Sequence, residues 1–404
     1  MMTRMIPQEN RAIFVVALGF WTAAATVGAL RVILPVHFAS IGMAVAEIGV
    51  LFAWMKVAEL IAPLGAGVVV NRFGSRRTFI GSLGLHSLMS FLYLVTPAVT
   101  VYLERFVRGL LSMQLQSAVY VKHFSRKEDQ RFHINMMLGL RDAAKGIGML
   151  LGGVLLVILP FDYAVAVFGL VTAVAMGVAL RALPEFKEET QLPIRKIWSS
   201  VEGRIKTIGL ARGLLHGAWD AWGIVILPVI LITVYGLSPA WVGAVIAGEH
   251  IFHGLCATFL SKYVGVTWDP RRALVIGGLL LMVVCLVMAG SLPLYLFVLM
   301  VLLYQALNSL CVVYYHQLKI GFASGKKASL DLAAYTTLSS AMKPVAVFLS
   351  GILANAMGFA WAFYLAALFV LLSVLTCLAI PKPAASPASE QVPLTEVPLA
   401  DRRS

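Results

Sequence analysis

The stretch Gly67-Val68-Val69-Val70-Asn71-Arg72-Phe73-Gly74-Ser75-Arg76-Arg77 decides the fold. It is a short basic turn between two long apolar runs, 46–70 and 78–98, each long enough for the ~20 residues a helix needs to cross a hydrocarbon core. Arg72, Arg76 and Arg77 keep the turn at the membrane surface, and Lys and Arg in short connectors place it on the cytoplasmic face. Asn71 can cap a helix start, and the arginines can reach acidic groups or carbonyls. Gly67, Asn71, Arg72, Gly74, Arg76 and Arg77 are the residues that shape and charge this turn.

Composition extends this reading to the whole chain. Of 404 residues 60% are hydrophobic and only 13% charged, far from the balance of a soluble domain. The formal net charge of +13 is scattered over short loops rather than gathered on one soluble face, so no nucleic-acid partner is expected. Cys256, Cys285, Cys311 and Cys377 all fall in apolar runs, at spacings that suit neither a metal site nor a disulfide framework. The first apolar run is too long for a cleavable signal peptide and lacks a small-residue cleavage site.

Twelve stretches are long and apolar enough to span: 12–38, 46–70, 78–98, 100–121, 132–158, 163–182, 207–235, 240–262, 273–291, 293–316, 331–357 and 360–380. Lys and Arg occupy both terminal segments and every even-numbered connector, while the odd-numbered connectors have none. This alternation puts both termini and all even connectors in the cytoplasm. The longest connector is polar, carries both signs of charge and follows the sixth run. The chain accordingly divides into a cytoplasmic N-terminus (1–11), a first six-helix bundle (12–182), a cytoplasmic linker (183–206), a second six-helix bundle (207–380) and a Pro/Ala/Ser-rich disordered tail (381–404). In the second half, Trp268-Asp269-Pro270-Arg271-Arg272 stands where the basic turn stands in the first, a degenerate echo of the kind a duplicated architecture gives.

Away from the ends of the apolar runs lie eight basic residues: Arg31, Lys56, Arg105, Arg108, Arg141, Lys145, Arg212 and Lys343. They face the acids Glu59, Glu104, Asp142, Asp220 and Glu249. An ionised side chain at membrane depth costs about 2.5–3.5 kcal/mol, so each needs a partner or a wet cavity. The positive surplus favours anions. Arg31, Lys145 and Lys343 are expected to form the anion site, with Arg141 supporting it and Arg108 as a further candidate. Arg141 and Lys145 share a face at i, i+4 and repel unless an anion or acid lies between them. Lys343 has no acid nearby in sequence, and Pro344 loosens the backbone beside it.

Lys56 and Glu59, three apart, can neutralise each other. Glu104 precedes Arg105 but points about 100° away around the helix, so Arg105 is expected to pair with an acid on another helix or to serve in coupling. Arg212 is expected to snorkel to the cytoplasmic surface. Asp220, Glu249, His250 and His216, with His253, form a titratable set at membrane depth that can relay protons, and Glu59 and Arg105 are further coupling candidates. Neighbouring positions 249 and 250 point apart on a helix, so no metal site is expected.

The turn around Asn71-Arg72-Phe73-Gly74 resembles the signature loop between helices two and three of the major facilitator superfamily, with Asn71 and Ser75 where Asp and a basic residue are usual; the resemblance implies a cytoplasmic gate, formed by Gly67, Asn71, Arg72, Gly74, Arg76 and Arg77, that pins the two halves of the chain together on one side. Arg105-Phe106-Val107-Arg108-Gly109 resembles its fourth-helix motif, with Arg108 at the position usually held by Gln. Gly139, Gly146, Gly148, Gly152 and Gly153 partly match the Gly-rich fifth-helix motif of its antiporters. A narrower resemblance covers most of the membrane region in short pieces. Gly28-Ala29-Leu30-Arg31 with Val36-His37-Phe38, Ala144-Lys145-Gly146, Asp220-Ala221-Trp222 with Leu227-Pro228-Val229, and Leu349-Ser350-Gly351 are similar to organoarsenical efflux permeases of arsenic-resistance operons. That family exports an arsenate ester of a phosphorylated glycerate, which implies a small anionic cargo. This chain departs from it at Val27, where an acid is usual, and at Lys343, where Arg is usual.

The resemblance implies the major facilitator fold: an all-α membrane protein of twelve transmembrane helices in two pseudo-symmetric six-helix bundles. The function expected is secondary transport of a small organic anion, of phosphorylated or arsenylated metabolite type, outward across the inner membrane and coupled to protons. No Gly-x-x-x-x-Gly-Lys-Ser/Thr loop occurs, so an ATP site is not expected. No cofactor is called for, and a monomer is expected. A metal-chelate or siderophore cargo is the alternative within transport; the alternative outside it is a non-transporting sensor or assembly protein on the same fold.

Overall fold

The computed structural model describes residues 8–94, 98–111, 117, 120, 121, 123–125, 130–185, 203–263, 269–322 and 328–380. Among them there is no β-strand. The helices are α1 (Gln8–Ser40), α2 (Val45–Phe73), α3 (Ser75–Phe91), α4 (Ala98–Leu110), α5 (Gln130–Ile158), α6 (Phe161–Ala182), α7 (Gly203–Gly223), α8 (Ile226–Thr233), α9 (Pro239–Tyr263), α10 (Pro270–Met288), α11 (Leu294–Phe322), α12 (Ala328–Met357) and α13 (Ala360–Leu378). Counting α7 and α8 as one span, eight are, over their described residues, long and apolar enough to cross a membrane. Outside that set, α3 and α4 are shorter, at 17 and 13 residues, and α5 carries Arg141, Asp142 and Lys145 at depth.

The seventh run, read as continuous, is broken at Ile224–Val225. The cause is Pro228. It has no N–H for the Ile224 carbonyl four residues earlier, and its ring crowds that carbonyl. Pro35 and Pro344, by contrast, are carried inside α1 and α12 without a break.

The packing pattern repeats. In the first half α1 packs on α5 and α6, α3 on α6, and α2 on α4; in the second, α7 packs on α12 and α13, α10 on α13, and α9 on α11. Between halves α5 meets α9, α2 meets α12, and α1 meets α8. Without a hydrophobic driving force inside lipid, close approach of small residues carries such contacts. A Cβ built on Gly153 would sit 2.4 Å from Pro239 O and 3.0 Å from Gly243 Cα; one built on Gly49 would sit 3.0 Å from Gly351 Cα. Both glycine pairs lie toward the ends of the helices joined by odd-numbered connectors. At that end the halves touch backbone to backbone.

Candidate functional site

A cavity of about 220 Å³ lies between the halves. From the first half α1 contributes Arg31, α2 Lys56, and α5 Asp142 and Lys145. From the second, α7 contributes Arg212, His216, Trp219 and Asp220, α9 Glu249, His250 and His253, α11 Gln305 and Asn308, and α12 Lys343. Five cations line it against three acids, leaving two positive charges if the histidines are neutral. The pairs that straddle its edge do not change this balance. Lys56 Nζ bonds Glu59 Oε2 at 2.7 Å, and Arg141 Nε bonds Asp142 Oδ1 at 3.0 Å.

The sequence-derived anion set separates into two groups. Arg31, Lys145 and Lys343 line the cavity from both halves. Asp142 is the acid between Arg141 and Lys145, 3.0 Å from the first and 3.6 Å from the second. It relieves their repulsion, and Arg141 itself is not among the described lining residues. Arg108 is not there either. It lies buried between α2, α3 and α4 as part of a separate cluster.

That cluster corrects the reading of the fourth helix. Glu104 is gripped by both of its own helix's arginines: Arg105 donates from Nε at 2.5 Å and Nη2 at 2.9 Å, and Arg108 donates from Nε. Tyr93 adds its hydroxyl at 2.6 Å. Arg108 continues to His86 Nδ1 at 3.1 Å and Ser90 Oγ at 3.0 Å. Adjacent Cβ atoms do diverge around a helix, yet an arginine is long enough to fold back, and Arg108 stands one turn on, on the same face. The partner expected from another helix is Glu104 itself.

In the second half, Arg212 does not snorkel. It is buried, with Cζ 5.7 Å from the Tyr315 ring, and its Nη1 has no hydrogen-bond partner. Lys343 makes no hydrogen bond or salt bridge among the described residues, and the acids that act on it across the cavity are Asp220 and Glu59. Trp219 Nε1, Asp220 Oδ2 and Asn308 Oδ1 are likewise buried without partners.

The titratable set is in the cavity wall. His216 donates from Nδ1 to Ser339 O at 2.9 Å, since a carbonyl can only accept. His253 Nδ1 meets Ser309 Oγ at 2.7 Å. His250 Nδ1 points to Ile246 O at 3.1 Å, and its Nε2 meets Arg31 Nη1 at 3.0 Å across the two halves. Because Arg can only donate, Nε2 is the acceptor and His250 is neutral in this arrangement. Glu249 accepts from Gln305, and its other oxygen lies 2.5 Å from His250 Nδ1 without hydrogen-bond alignment. Arg31 also stands over the Trp219 ring, 4.8 Å from its centroid. Trp219, Gln305 and Asn308 carry no charge and no titratable group and so do not stand out in the sequence as the other lining residues do. The signal was the i, i+3, i+4 polar set Gln305, Asn308 and Ser309 within an otherwise apolar run.

Of the basic turn, the described contacts are local. Gly74 turns the chain with φ of +83°. Arg76 Nη2 donates to Leu180 O at 2.7 Å, Arg77 Nε lies 3.5 Å from Glu185, and Arg72 rests over Phe73. These described contacts clamp the end of α6 and stay inside the first half. The side chains of Gly67 and Asn71 lie outside the described residues. A wider hollow of about 390 Å³ has its described lining, Asp269, Arg271, Arg272, Val275, Ile276 and Leu378, wholly in the second half.

Solved structures similar to this chain are transporters. A bacterial homolog of the human lysosomal transporter Spinster has a TM-score of 0.79 at 11% identity, covering 95% of this chain and 100% of its own. The nucleoside transporter NupG has 0.70 at 11%, covering 91% and 99%. The human organic anion transporter TETRAN has 0.67 at 16%, covering 92% and 100%. No curated protein matches the sequence. The sequence profile described as Major Facilitator Superfamily matches residues 16–227, more than half of the chain. With the paired helical halves, the cavity between them and that match in hand, the chain belongs to the Major Facilitator Superfamily, a family of multi-pass membrane transporters for small molecules.

Proposed function

We propose that the protein is a secondary transporter of a small organic anion of phosphorylated-metabolite type, moved outward across the inner membrane by alternating access with protons as the coupling ion. The observation that carries this reading is the inter-half cavity with a surplus of two positive charges, in which Lys343 and Arg212 have no anionic partner. An anion held by Arg31 and Lys145 on one side and by Lys343 on the other contacts both halves only when they close on it. It thereby favours the occluded state through its own contacts. Outward direction rests on the resemblance to arsenical efflux permeases.

Proton coupling rests on His250. While neutral it accepts from Arg31 and ties α1 to α9. A proton on Nε2 would remove that acceptor and set two cations against each other, releasing Arg31 to the cargo or loosening the halves.

In sealed vesicles, uptake or efflux of labelled glycerol phosphate is expected to require the protein and to collapse in Lys343→Gln. The same variant should fold and insert normally, because no buried acid loses a direct partner. A large loss of thermal stability in detergent, with anion-induced stabilisation retained in the folded fraction, would instead show Lys343 to be structural. Orientation has its own check. A cysteine at Ser125 should react with an impermeant thiol reagent only after the membrane is opened, and one at Asp162 in intact spheroplasts; the reverse pattern refutes cytoplasmic even connectors.

A further inference from the structure

The polar atoms that the cavity leaves over are of two kinds. Arg212 Nη1 and Trp219 Nε1 are donors without acceptors, and Asp220 Oδ2, Asn308 Oδ1 and Glu249 Oε1 are acceptors without donors. Arg212, Asp220, Asn308 and Glu249 are only 6%, 5%, 7% and 1% exposed, and all five residues line the same cavity. Buried polar groups are nearly always paired, and leaving one unpaired is costly. The orphaned donors fit an oxyanion; the orphaned acceptors do not. An anion with no hydrogen to give, such as an alkyl phosphate or succinate, would satisfy the cationic wall and bury Asp220 and Asn308 unsatisfied.

We propose that the cavity recognises a hydroxylated dianion, whose charged end meets the cations and Trp219 while its hydroxyls donate to Asp220 Oδ2 and Asn308 Oδ1. This rests on the anion reading above and narrows it. The surplus of two positive charges matches a dianion. Hydroxyl rather than ammonium donors follow from the charges around Asp220, where Lys56, Lys343 and Arg31 all act on the carboxylate and would repel a further cation. The volume of about 220 Å³ lies below the ~300–1,000 Å³ of sites for drug-sized ligands, so the cargo has only a few carbons. A polyol phosphate and a hydroxy dicarboxylate share this chemistry.

Two matched pairs test it on the purified full-length protein in nanodiscs, by calorimetric titration and thermal stabilisation. Glycerol phosphate against propyl phosphate, and tartrate against succinate, each differ in hydroxyls at nearly constant charge and size. The hydroxylated member of at least one pair should bind about tenfold or more tighter than its partner, as a site built to hydrogen-bond a hydroxyl discriminates against its absence. Which pair shows the larger ratio distinguishes phosphate from carboxylate. In Asn308→Leu the ratio should fall to within about threefold through weaker binding of the hydroxylated member alone. Equal binding within both pairs by the unaltered protein overturns donor recognition and leaves the anion reading standing; it needs no variant to fold. Absence of binding by all four at tens of millimolar overturns both.

Discussion

Glu104→Gln is expected to lower stability by at least about 3–5 kcal/mol, the cost of breaking one buried ion pair, because here the change strands two guanidinium groups at once. The side chains of Glu104 and Arg105 are each 1% exposed and that of Arg108 is fully buried. Glu104 neutralises both while filling its acceptor sites with Arg105, Arg108 and Tyr93. Without its charge the two arginines repel in a low-dielectric interior that no water can relax. Thermal unfolding in detergent, followed by size-exclusion recovery, measures the loss. Glu185→Gln is the control: its pair with Arg77 is exposed on both sides (72% and 47%), and such pairs contribute only about 0.2–1 kcal/mol. Adding Arg108→Leu to Glu104→Gln should restore part of the stability if charge is the cause. A Glu104→Gln protein that melts within about two degrees of the parent, where ~1 kcal/mol already shifts a domain of this size by 2–4 °C, would show the cluster to be dispensable.

What could be read from the sequence follows the distance over which the governing interaction acts. Spans and connectors are local: an apolar run either reaches the length of the hydrocarbon core or does not. The fifth run, read as 132–158, thus corresponds to α5 (Gln130–Ile158), and the eighth, 240–262, to α9 (Pro239–Tyr263). That Lys145, Arg31 and Lys343 face one cavity could be anticipated because charge at membrane depth must face something polar.

Pairing choices were not legible. Nothing in the spacing of Glu104 and Arg105 says that a flexible side chain folds back along its own helix, and nothing local to Arg212 says that Tyr315 and the cavity wall will cover it. The break at Ile224 was present in the sequence as Pro228, and was hidden by an apolar run long enough to look continuous. The orphaned Asn308 needed the structure, since an uncharged amide in a span gains its meaning only from what stands opposite.

The second large effect concerns the end where the halves touch. Gly153→Leu is expected to open that end, because its Cβ alone would reach 2.4 Å from Pro239 O, a backbone atom that cannot swing aside. Gly49→Leu acts on the other cross-half pair, meeting Gly351 Cα at 3.0 Å and Val347 O at 3.2 Å. Overpacking of this kind costs typically 1–3 kcal/mol. The strain is present only while α5 meets α9 and α2 meets α12, so it acts on the equilibrium between arrangements of the halves rather than on either half alone. A bias of that size multiplies the open population by about 5–150-fold, and more in the double variant if the two seams are independent. The reporter is a cysteine at Asn308 in the cavity wall, in a background where Cys256, Cys285, Cys311 and Cys377 are replaced. Its labelling by a small thiol reagent applied from the odd-connector side should accelerate at least about fivefold in either single variant. Gly177→Leu, where a Cβ meets nothing within 4 Å, should leave the rate unchanged. If labelling stays at the parental rate in a well-folded Gly49→Leu/Gly153→Leu protein, the glycine pairs are mere packing. If it rises while cargo flux in vesicles is lost, closure of this seam is a required step of transport, and the backbone contacts at Gly49 and Gly153 are what permit it.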